Sequence, residues 1–189
     1  MSLWLPEKTT NAGKMDSKEK IFEERTYWGD KEYFCEYIDD NDFSKISPIT
    51  QVQALCLLPT GKFVIYKDKG GKYGLPGGTV EKGEALKQTL FRELKEEASV
   101  RPVEYGPLLY LRVTNLSEKP IRITYQARYW ALIESLADEI SDPDGKAVER
   151  LFVSENEMLK YLDWGRKLNI YLSQLKKIKK LQPYLNKTL

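Results

Sequence analysis

The spacing of apolar positions changes several times along the chain, and each change predicts an element. Residues 1–20 are polar with no apolar periodicity, which predicts a mobile tail. Two aromatic-rich segments, IFEERTYW and EYFCEYI, flank Gly29-Asp30 and predict a hairpin within an extension over 21–47. Residues 52–58 read as a buried strand, and Pro59-Thr60-Gly61 turns it into a second strand over 62–67. A glycine-rich stretch covers 70–83, and a helix follows over 84–98. Strands are predicted over 108–114 and 121–133, the second rich in β-branched and aromatic residues. Residues 137–147 form an acidic loop, 151–153 a short last strand, and 155–185 a helical region interrupted at Trp164-Gly165. That order indicates a mixed α/β domain, followed by a C-terminal helical segment over 161–189.

Within the helix the acids sit where apolar side chains are expected. At about 100° per residue, Leu86, Leu90, Phe91, Leu94 and Ala98 share an arc of roughly 140°, the face to be buried. Glu93 and Glu97 point within about 20° of Leu86, and Glu96 lies about 60° further out. Three carboxylates at this spacing repel one another, and the helix dipole disfavours them in the C-terminal half. A divalent hard cation would resolve the repulsion, because Mg²⁺ prefers oxygen ligands. Arg92, four residues before Glu96, can fix a carboxylate in one orientation. A solvated acidic face is the plainer account of most such runs, and the incursion into the apolar stripe counts against it here. The run Gly74-Leu75-Pro76-Gly77-Gly78 lets backbone approach a ligand or ion closely.

Composition narrows the chemistry. The 189 residues contain no histidine, which excludes Ser-His-Asp and Cys-His catalysis and His-ligated metals. Thirty basic residues against 28 acidic ones leave a net charge of +2, so charge gives no argument for nucleic acid or an anionic membrane. The basic C-terminal run KKIKKLQPYLNK reads as a solvated helix face. No apolar stretch approaches the roughly 20 residues of a membrane span. Cys35 and Cys56 make no disulfide framework, and with no signal segment the expected location is cytoplasmic. Tyr27, Trp28, Tyr33, Phe34 and Tyr37 fit cross-strand and core pairs of the hairpin, with stacking on a base or a homodimer contact as the other readings.

The stretch over 77–100 resembles the box of the Nudix hydrolases: G, five residues, E, seven residues, R-E-U-x-E-E-x-G-U, with U aliphatic. Gly78, Glu84, Arg92, Glu93, Leu94, Glu96, Glu97 and Val100 fall on it, and Ser99 stands at the last glycine. A serine in the left-handed helix exit costs on the order of 1 kcal/mol. The resemblance extends over roughly residues 48–160 and implies an α/β/α sandwich around a mixed sheet. It also implies metal-dependent hydrolysis of the diphosphate linkage in a nucleoside diphosphate derivative: a nucleotide sugar, an ADP-ribose-like compound or a nucleoside triphosphate. By position, Glu93, Glu96 and Glu97 would hold Mg²⁺ or Mn²⁺ with the Gly77 carbonyl. Arg92 would orient Glu93, Gly78 and Glu84 would support the motif, and Asp142, Asp144 or Glu149 would be a second acid. The partner expected is a small-molecule nucleotide, with no membrane or specific nucleic acid. The alternative is a Nudix-fold module that binds a nucleotide without cleaving it.

Overall fold

The computed structural model describes residues 19–136 and 147–188. The expected tail, apart from its last two residues, lies outside them, as do Asp142 and Asp144. The elements are β1 (Lys20–Trp28), β2 (Lys31–Ile38), β3 (Ile49–Leu57), β4 (Phe63–Asp68), β5 (Tyr73–Gly74), α1 (Leu86–Ala98), β6 (Val100–Asn115), β7 (Arg122–Leu136), β8 (Ala147–Val153), α2 (Glu155–Leu162), α3 (Arg166–Lys176) and α4 (Gln182–Leu185). The strands form one sheet in the order β1-β2-β6-β7-β3-β4-β5, with β8 on β4. β3 and β7 run parallel and the other pairs antiparallel, so the sheet is mixed as expected.

Strand alternation splits the core in two. Val52, Ala54 and Cys56 on β3 pack with Ala127, Tyr129 and Ala131 on β7 against Leu90, Leu94 and Ala98 of α1. Leu55, Leu57, Phe63 and Trp130 face the other way, onto Met158 and Leu162 of α2 and Leu168, Leu172 and Leu175 of α3. The result is a sheet between α1 and the α2–α3 pair. Cys56 is wholly buried on the α1 side, a core residue, and both cysteines are free thiols. No helix among the described residues is long and apolar enough to cross a membrane.

The structure moves three of the predicted element starts. β6 starts at Val100 rather than 108, because register shifts against β7 at Arg101/Pro102, Pro102/Glu104 and Pro107/Leu109 absorb prolines that read as breakers. The last strand is likewise longer, from Ala147, pairing with β4 with Glu149 on an exposed position and Arg150 turned onto the end of α1. α1 begins at Leu86, with Glu84 outside it, its carboxylate folded back onto Arg92. The expected N-terminal hairpin is present as β1 and β2, and β2 joins it to the main sheet by pairing with β6 from Tyr33↔Asn115 to Ile38↔Tyr110. The expected break at Trp164-Gly165 does separate α2 from α3. Ser154 caps α2 reciprocally with Glu157, a serine-to-glutamate spacing of three that marks a helix start.

Candidate active site

Residues 76–80 are a further rung of the sheet. Val52 N–H donates to the Gly78 carbonyl at 3.0 Å, Ala54 N–H to Pro76 at 2.9 Å, and Val80 N–H to Thr50 at 3.0 Å. Gly77, between those rungs, therefore turns its own N–H and carbonyl away from β3. The N–H donates to Glu97 Oε2 at 2.8 Å, and the carbonyl has no hydrogen-bond partner among the described residues. Only glycine fits here: φ is +151°, and a Cβ would sit 2.3 Å from the Val52 carbonyl oxygen. At Gly78 a Cβ would meet Glu93 Oε1 at 2.2 Å, so the bare backbone forms the seat of that carboxylate.

The three acids of α1 lie as the helical spacing predicts. Glu93 is 8% exposed and Glu97 6%, while Glu96 is half-buried. Arg92 gathers them. Its Nη1 donates to Glu93 Oε1 at 2.8 Å and to Glu96 Oε2 at 3.1 Å. Its Nε and Nη2 form a fork on Glu84 at 3.0 and 3.1 Å, and Nη2 also reaches the Thr79 carbonyl at 3.1 Å. Glu84 accepts in addition from Thr89 Oγ1 at 2.7 Å and from the Glu81 N–H at 3.2 Å. The Arg92 fork, with help from Thr89, holds the Glu84 carboxyl at about 2, well below its usual range. Contact with the carboxylates, the Glu84 bond foremost, raises the already high Arg92 value further.

Sequence reasoning missed two residues around this row. Tyr66 on β4 hydrogen-bonds Glu97; burial first, then the Glu97 charge, pushes its hydroxyl pKa up. Arg150 on β8 donates through Nη1 to the Ala98 and Ser99 carbonyls at 2.8 and 3.2 Å, satisfying the C-terminus of α1. No motif signals either; both arrive by strand pairing, since Tyr66 and Arg150 are register partners. Ser99 adopts the left-handed conformation, φ 48° and ψ 45°, expected where the motif has glycine. Of the second-acid candidates, Glu149 is exposed, pairs with Lys67 at 3.7 Å and, one residue from Arg150, faces the opposite side of the sheet from Glu97.

The donors available to a metal are carboxylate and carbonyl oxygens, the hard set that suits Mg²⁺ or Mn²⁺. The open Gly77 carbonyl beside Glu97 and the glycine seat under Glu93 are consistent with such an ion. Among the described residues no three Asp, Glu or Cys side chains are drawn around one point, and Glu93 and Glu96 are both bonded to Arg92.

The NUDIX domain family model matches residues 49–173. No curated protein matches the chain. Among solved structures, the Bacillus subtilis pyrophosphohydrolase BsRppH, in mutant form, is similar with a TM-score of 0.65 at 21% identity, over 84% of this chain and 98% of that one. The NUDIX domain of Shewanella oneidensis NrtR, complexed with ADP ribose, gives 0.54 at 19% identity over 72% and 94%. A NUDIX hydrolase from Nitrosomonas europaea gives 0.56 at 16% over 69% and 90%. At these identities the likeness is one of fold.

Proposed function

The chain belongs to the Nudix hydrolase family, and from its own site we propose that it is a metal-dependent pyrophosphohydrolase cleaving the diphosphate linkage of a nucleoside diphosphate derivative. One observation carries this reading: two buried carboxylates, Glu93 and Glu97, lie against the backbone of Gly77-Gly78 and are held by Arg92 and the Gly77 N–H. A buried charged row of this kind is costly unless its charge is used.

Glu93, Glu96, Glu97 and the Gly77 carbonyl would hold Mg²⁺ or Mn²⁺, which when bound neutralises the diphosphate and activates water. Arg92 fixes Glu93 and Glu96, and Glu84 fixes Arg92. Glu93, seated on Gly78, is the carboxylate we assign to accept the proton of the attacking water. Tyr66 and the Gly77 N–H orient Glu97.

The test is product release from a panel of nucleoside triphosphates, nucleotide sugars and ADP-ribose in Mg²⁺ or Mn²⁺, with Glu97→Gln as the blank. Glutamine retains an oxygen for the Gly77 N–H and removes the charge. Turnover of one substrate class that vanishes in Glu97→Gln is the expected result. Nucleotide binding without turnover in the unaltered protein would overturn it in favour of a binding module.

A further inference from the structure

On the sheet face opposite α1, a cavity of about 380 Å³ opens between β1, β3, β7 and α3. Its walls include Glu24, Trp28, Gln53, Arg128, Trp164 and Tyr171. We infer that this cavity receives a guanine base, read by Arg128 on one edge and Glu24 on the other; the inference rests on the chain acting on nucleotides.

Arg128 is the anchor. It is 5% exposed, and its hydrogen-bond partners are all neutral. Nε donates to Tyr171 Oη at 3.0 Å, Nη2 to Gln126 Oε1 at 2.7 Å and Nη1 to the Ala127 carbonyl at 3.4 Å. No carboxylate among the described residues pairs with it. A guanidinium carries five N–H donors, so donors remain for a ligand. A buried cation without a counter-ion is expensive, and a strand side chain facing a cavity keeps that cost only where a ligand offsets it.

Glu24 gives the second half. Its Oε1 accepts from Tyr37 Oη at 2.9 Å and pairs with Lys167 at 3.3 Å, while Oε2 has no partner among the described residues. Lys167 is thereby neutralised, which leaves Arg128 as the unpaired cation of the cavity and Glu24 Oε2 as its unpaired acceptor. The two are linked through a tyrosine pair. Tyr37 and Tyr171 rings stand 6.0 Å apart, with one hydroxyl on Glu24 and the other on Arg128.

Guanine is the base that fits both groups. It offers N7 and O6 as adjacent acceptors, the pair a guanidinium reads best, and N–H donors on its Watson–Crick edge for a carboxylate. Adenine would place an amino group where Arg128 needs an acceptor. A phosphate would satisfy Arg128 but would be repelled by Glu24 and gain nothing from Trp28 and Trp164. The indoles supply flat apolar walls of the kind bases stack on. The cavity also adjoins the carboxylate row through one residue, since Gln53 lies against Gly77, whose N–H holds Glu97.

The experiment is calorimetric titration of the full chain with GMP, AMP, UMP and CMP, none of which contains the diphosphate to be cleaved. GMP is expected to bind about tenfold more tightly than the others, the discrimination of one good paired contact. Arg128→Gln should erase the preference. Because that side chain is buried, the half-buried Glu24→Gln carries the test if Arg128→Gln unfolds, and should bring GMP within about threefold of AMP. Equal affinity for the four nucleotides, no binding of any, or a preference untouched by Glu24→Gln would overturn the assignment. Base preference without turnover in the hydrolysis panel would remove the hydrolase reading and keep the pocket. Turnover without base preference would do the reverse.

Discussion

Glu84→Gln tests whether the clamp on the acidic row is electrostatic. Glu84 is 14% exposed on its side chain and takes two bonds from Arg92, with one each from Thr89 and the Glu81 N–H. These contacts lower its carboxyl from an ordinary 4.5 to about 2. A shift of about 2.5 units at about 1.36 kcal/mol per unit sets a ceiling of about 3 kcal/mol on what the ionised form contributes to stability. The folded value is the depressed one, so the contribution is fully present above pH 4.5 and is lost as pH falls from 4.5 toward 2. Glutamine keeps the shape and one acceptor oxygen but no charge. Urea unfolding at pH 7 should show a loss of about 2–3 kcal/mol, seen thermally as a drop of about 5–10 °C for a chain of this size. Repeated from pH 7 down to 3, the gap between the two proteins should narrow below pH 4.5. A gap under about 0.5 kcal/mol at pH 7, or one that stays constant with pH, would refute the reasoning.

Gly78→Ala drives a methyl group into Glu93, so turnover should fall at least about a hundredfold while circular dichroism stays unchanged; normal turnover would show that Glu93 has freedom to move. Ser99→Gly relieves a left-handed serine and should raise unfolding free energy by about 1 kcal/mol in urea, with no change in kcat. Arg150→Met leaves two helix-end carbonyls without their donor and should cost about 1–3 kcal/mol; a neutral result would mean that water replaces the guanidinium there.

The acidic row was legible because α1 carries it alone: a period of 3.6 residues places Glu93 and Glu97 on the buried edge whatever the sheet does. The α1–sheet–α2/α3 layering was legible for a similar reason, since β3 and β7 alternate cleanly between two sets of apolar residues. What escaped depends on long-range pairing. Arg150 reaches α1 only because β8 adds to β4, and Tyr66 reaches Glu97 through the same strand. Arg128 and Glu24 are far apart in sequence, and nothing local marks a strand arginine as unpaired until α3 closes over it. The early half of β6 was hidden by Pro102 and Pro107, whose missing N–H groups the register shifts accommodate.

The rung formed by residues 76–80 has a kinetic consequence. The amides of Val52 and Ala54, both on a central strand, are locked by the carbonyls of Gly78 and Pro76. The Gly77 seat therefore cannot open as a loose flap would; it must first break cross-strand bonds in the interior of the sheet. Native-state hydrogen exchange at those two amides would then run near the rate of global unfolding rather than that of loop fraying. In this molecule the fidelity of the proposed site and the survival of the fold draw on the same bonds, so solvent reaches both in a single event.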